Sequence, residues 1–150
     1  MQLYELAPTL HWSQNTESQA HATIKTADHT YELAVKCQKY SADHIKGWTS
    51  KVIDRESDVD RGRYVELTCK ENRASFDGVE ASFDKVIDAL SSYKTDNNLK
   101  YLLLFSTTQS RKEVFEKLAQ KLAKKLDWDV YQDRNYILIH KKTLKIHQVD

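Results

Sequence analysis

The stretch "LKYLLLFST", Leu99 to Thr107, constrains the fold more than any other, because Tyr101 to Phe105 is an unbroken apolar run of strand length. A half-buried strand alternates apolar and polar positions, whereas a strand covered on both faces does not have to. The run therefore predicts the middle of a sheet. It is also far shorter than the roughly 20 residues that a membrane-spanning helix needs.

Helical patterns flank this strand. Val79, Phe83, Val86, Ile87, Leu90 and Tyr93 fall on one stripe at helical spacing. Asp77 and Glu80 have the spacing of a capping box at its start, and "KTDNN" ends it. On the other side, Ser106, Thr107 or Ser110 can cap a helix that turns Phe115, Leu118, Leu122 and Leu126 toward the core.

Upstream, the pattern changes to a period of two. Residues 22–26 and 30–40 read as strands joined at "ADH", with Tyr31, Leu33, Val35 and Cys37 facing away from Glu32, Lys36 and Gln38. "RYVELTCKE" alternates in the same way, placing Val65, Leu67 and Cys69 on one side. Between them, "SADHIKGWTSKVIDRE" predicts a short helix with Ser41 at its N-cap and Ile45, Trp48, Val52 and Ile53 on one face, and "ESDVDRG" reads as a turn. The end of the chain reads as strand, turn at "QDRN" and strand, with "LKIHQV" as an extra edge. Residues 1–20, with the only proline, Pro8, read as an irregular arm or an edge strand. The order β-β-α-β-α-β-α-β-β describes a single α+β domain over 1–150: one mixed, mostly antiparallel sheet with two to three helices packed on it. A chain of 150 residues supports one such core.

Charge narrows the function. Lys and Arg number 23 against 22 for Asp and Glu, a net charge of +1, so no global basic field exists to drive non-specific nucleic-acid binding. The N-terminal ten residues lack a basic n-region and an apolar h-region, and the two cysteines, Cys37 and Cys69, make no disulfide framework. A cytoplasmic protein with no membrane partner is the expectation.

The charge is unevenly spread. Residues 111–150 hold ten basic and six acidic side chains, and residues 41–88 hold eleven acidic and eight basic. Lys117, Lys121 and Lys124 share one helical face with Lys125 at its margin, and Lys141 and Lys142 follow. Asp84 and Asp88 stand four apart on the outer face of the preceding helix. Trp48 and Trp128, with Trp12, are candidate aromatic anchors. Such polarity suits docking to a charged protein partner, while a solvated helix face explains the lysines as well.

Signatures of chemistry are sparse. Asp58 or Asp60 with Glu66 and Lys70 could hold a metal as a nuclease does, but Thr68 stands where a second acid is expected. The six histidines show no HxxxH or HxH spacing, and the sequence assigns no catalytic residue, metal ligand or cofactor. The strand-helix-strand-helix-strand ending resembles the arrangement of GNAT acyltransferases, whose Gln/Arg-x-x-Gly-x-Gly/Ala turn meets the coenzyme A phosphates. Here that place reads "NRASFDGVEA", with Gly78 as its only glycine, which departs from the pattern. The leading expectation is a non-enzymatic protein-binding module: an inhibitor, immunity-type or adaptor protein. The alternatives are a nucleic-acid-binding protein using the basic helix, and a degenerate acyltransferase or nuclease.

Overall fold

The computed structural model describes residues 9–25, 30–69 and 83–149. Seven strands form one sheet: β1 Thr9–Asn15, β2 Gln19–Lys25, β3 Thr30–Cys37, β4 Gly62–Cys69, β5 Tyr101–Phe105, β6 Asp129–Asp133 and β7 Tyr136–His140. Their spatial order is β1-β2-β3-β4-β5-β7-β6. Every neighbouring pair is antiparallel except β4 and β5. A 3-10 turn at Gln38–Tyr40 precedes α1 (Asp43–Val52) and the short α2 (Glu56–Val59); α3 (Phe83–Asp96) and α4 (Gln109–Leu126) complete the single α+β domain.

The periodicities explain the layers. Alternate residues of β2 to β5 and β7, among them Ile24, Leu33, Val35, Val65, Leu67, Leu102, Leu104, Ile137 and Ile139, bury one face of the sheet against α3 and α4. The helices answer with the expected stripes: Phe83, Val86, Ile87, Leu90 and Tyr93 on α3, and Phe115, Leu118 and Leu122 on α4. Tyr64, Tyr101, Leu103 and Leu138 point to the other face and pack against Ile45, Trp48 and Val52 of α1, with Ile53 and Leu144. β5 is thus covered on both sides, as its sequence demands.

Several local expectations are corrected. Of the two readings of the N-terminal region, the edge strand holds for residues 9–15, which pair with β2 as β1 with a register shift between Trp12 and Gln14. Ser41 does not cap α1; the N-cap is Ala42, which offers no side-chain acceptor. Thr108, not Ser106, Thr107 or Ser110, caps α4 by accepting from the Arg111 N–H. Ile53 lies just beyond α1 and bridges to Ile146, and among the described residues that bridge is all the ladder that "LKIHQV" contributes. The Asp77–Glu80 capping box and Val79 lie outside the described residues.

Few glycines mean that other residues take left-handed backbone. Asp127 closes α4 at φ 56°, Arg134 turns between β6 and β7 at φ 54°, and Asn98 follows α3 at φ 50°. Gly62 is required for another reason: a Cβ there would enter the ring of Tyr101, its partner across the parallel ladder.

Candidate functional site

The site grows from the one parallel pair. β4 continues to Cys69, but its ladder with β5 stops at Val65 and Leu104. Among the described residues, β4 beyond that point pairs only with β3. Over this split, on the face that carries α1, lies a cavity of about 360 Å³ whose wall includes Lys36, Tyr40, Ser41, His44, Tyr64, Glu66 and Phe105. It adjoins a hollow of about 230 Å³ over β2 to β4, bounded by Ser13, His21, Thr23, Glu32 and Thr68 and sharing Lys36 and Glu66 with the first. Because α1 packs on β4, β5 and β7, the polar side chains of β2 and β3 on this face stay half-exposed. The two hollows form one groove.

Cross-strand register sets its centre. Lys36 faces Tyr64 and Ala34 faces Glu66, so Lys36 and Glu66 meet diagonally, with Nζ and Oε2 3.5 Å apart. Burial pushes the Tyr64 phenol well above the usual tyrosine value, and the neighbouring Glu66 carboxylate adds to the shift. Tyr64 therefore stays protonated as a neutral wall of the groove.

The far wall is aromatic. The His44 ring lies 4.9 Å from that of Phe105, and its Nδ1 is 3.1 Å from the Tyr136 hydroxyl. Tyr136 stacks on Trp48 at 4.6 Å, nearly parallel, and the Trp48 indole N–H donates to Asp133 at 2.7 Å. Phe105 and Tyr136 lie 4.8 Å apart and are both half-buried. Tyr40 stands at the rim, 56% exposed, with Lys39 Nζ 5.1 Å above its ring. The Ser41 Oγ is buried and has no hydrogen-bond partner among the described residues, His44 included, so Ser41 and His44 do not form a nucleophile–base couple. Among the described residues, no three His, Cys, Asp or Glu side chains gather as a metal site.

The residues singled out from sequence fall elsewhere. Trp48 and Trp128 are 7% and 9% exposed, so both rings are spent on packing and neither projects as an anchor; Lys94 Nζ lies 5.5 Å from the Trp128 ring. Lys117, Lys121 and Lys124 are exposed on α4, and Lys121 Nζ lies 5.5 Å from the ring of Phe83. Lys125 pairs with Asp88 and ties α4 to α3, while Asp84 is exposed beside them. Lys142 pairs with Asp127 at 2.9 Å, and that hydrogen bond raises its pKa. Lys141 is half-buried and its backbone N–H donates to the Lys100 carbonyl.

The nuclease set does not assemble. Asp58 is buried against Lys100, Asp60 lies at the opposite end of β4, Glu66 is in the groove, and Lys70 is outside the described residues. Gly78 and its turn are likewise outside them. Cys37 is buried and free as expected, but Arg63 faces it directly across the β3–β4 ladder, a basic neighbour that strand reading alone did not supply. The Cys69 side chain is likewise outside the described residues.

No protein-family model, no curated protein and no solved structure matches this chain. The groove residues Tyr40, His44 and Phe105, with Tyr136 behind them, carry no shared signal in the sequence because they are brought together from the 3-10 turn, α1, β5 and β7. The one available signal was "FST" after the apolar run, where a large ring sits at the exposed end of a buried strand.

Proposed function

We propose that this protein is a non-enzymatic, cytoplasmic binding module of the inhibitor, immunity-type or adaptor kind, which docks a protein partner at the aromatic rim of the groove. The observation that carries the reading is Tyr40, more than half exposed on a wall it shares with His44 and Phe105, whose rings are backed by Tyr136. Large amphipathic rings around a concavity are the side chains that dominate interface energies. Lys36, Lys39 and Glu66 provide both signs of charge within reach, which favours orientation of a partner over simple attraction to a polyanion.

The test is comparative capture from the source cells with the wild-type chain and with Tyr40→Ala and Phe105→Ala. A partner retained by the wild type should be lost or weakened roughly tenfold by Tyr40→Ala, the scale of an interface hot spot. Equal capture by the wild type and both variants would sink the reading.

One feature favours a second reading, acyl transfer. Parallel strands that separate at their carboxyl ends leave unpaired amides where a ligand can enter, and β4 and β5 separate after Val65 and Leu104. A concentration-dependent rise in Tm with acetyl-coenzyme A, unaffected by Tyr40→Ala, would place this reading first.

A further inference from the structure

A second cavity, of about 470 Å³, lies at the other end of β4, under the β1–β2 turn. Arg63 lines it and is only 5% exposed. A buried guanidinium is ordinarily met by a carboxylate or phosphate, because a desolvated charge without a counter-charge is costly. Arg63 has no carboxylate in ion-pair range among the described residues. Its Nε and Nη2 donate to the Glu17 carbonyl at 3.1 and 2.8 Å, and its Nη1 donates to the Asp60 and Gly62 carbonyls at 3.1 and 2.8 Å. These bonds use four of the five guanidinium hydrogens, and the Tyr93 hydroxyl, which donates to the Thr16 and Glu17 carbonyls, lies beside the group; the fifth hydrogen, on Nη2, donates to no carbonyl or carboxylate among the described residues.

Carbonyl dipoles hold the group in place, but they do not cancel its charge. Glu17 and Asp60 touch Arg63 through their backbones while their side chains are exposed and screened by water. Lys39 brings a second cation to the cavity, and Ser18 a half-buried hydroxyl that makes no hydrogen bond among the described residues. From these features we infer that the cavity is a binding site for a small monocarboxylate. One carboxylate oxygen accepts from the remaining Arg63 Nη2–H, and the other accepts from Ser18 Oγ–H or Lys39 Nζ. A dianion such as phosphate is disfavoured because its second charge would have only the exposed, water-screened Lys39 to meet, whereas one negative charge balances the one buried positive charge.

The experiment is an NMR titration of the full chain with acetate, pyruvate and benzoate, at constant ionic strength set with chloride, and with inorganic phosphate as the competitor class. Saturable shifts are expected at the Arg63 Nε–H and at the amides of Ser18 and Lys39, with the groove residues His44 and Phe105 unmoved. Lys39→Gln should weaken the apparent Kd roughly tenfold, the scale of one charge-assisted hydrogen bond. Arg63→Lys breaks the carbonyl contacts and can unfold the chain, so Ser18→Ala and Lys39→Gln, at half-exposed and exposed positions, are the deciding variants. Non-saturating shifts, an equal response to phosphate, or unchanged affinity in both deciding variants would each overturn the inference. Ser18→Ala separates this site from the partner-docking groove, because Lys39 also stands at the docking rim over Tyr40 whereas Ser18 lines this cavity alone.

Discussion

Gly62 is the position where a single methyl group matters most. Its Cα partner, Tyr101, is fully buried and donates its hydroxyl proton to the Val59 carbonyl, so the ring cannot retreat. Gly62→Ala should lower stability by about 1–3 kcal/mol, the cost of overpacking a closed site. An unchanged urea midpoint would show that the ring has room to move. Arg134 presents the opposite case, a β-carbon in left-handed backbone at φ 54°, so Arg134→Gly should raise stability by about 1 kcal/mol in the same assay. Much at this scale was legible: the buried stripes of α3 and α4 follow directly from spacing. The fate of the tryptophans was not, because Trp48 is claimed by Asp133, 85 residues away, and no local pattern reports such a contact.

Elements were legible where their signal is local. β3, β4, β5 and β7 are visible as alternation or as an apolar run, whereas β1, "TLHWSQN", is polar at most positions and owes its strand conformation to β2. Helix caps were misplaced by one or two residues, since Ser41 stands one place before the α1 cap and Ser and Thr cluster at the start of α4, where any of them could accept an amide. Thr108→Ala should cost about 1 kcal/mol as the actual cap of α4, and Ser110→Ala should cost almost nothing. At α1, Ala42→Asp supplies the missing cap and should add about 0.5–1 kcal/mol. The same carboxylate would stand in the groove wall, so the expected signature is a higher Tm with weaker partner capture. If both rise together, the wall is not part of the docking surface.

For the molecule as a whole, four tyrosines carry a shared pH dependence. Burial is the first cause of raised pKa at Tyr64, Tyr93, Tyr101 and Tyr136, so the folded state keeps phenol protons that the unfolded chain releases near 10.0. Their contribution is complete below 10.0 and is lost as pH rises above it. Alkaline titration should therefore show tyrosine ionisation coinciding with unfolding, and smooth ionisation of all eight tyrosines in a folded chain would contradict it. The α+β class was readable from the mixture of periods, but strand order was not, because no pattern within a strand names its neighbours. The groove shared that fate, since it exists only where β4 and β5 part.

The same parallel junction governs how the chain assembles in time. β1 to β3 and β6 to β7 are joined by short connections, and their contacts close small loops. Bringing Gly62–Val65 beside Tyr101–Leu104 closes a loop of about forty residues for only four ladder positions, an entropic cost that little local contact offsets. The two antiparallel halves are thus expected to form early and to dock late. Core substitutions at Leu103 would slow refolding less than they speed unfolding.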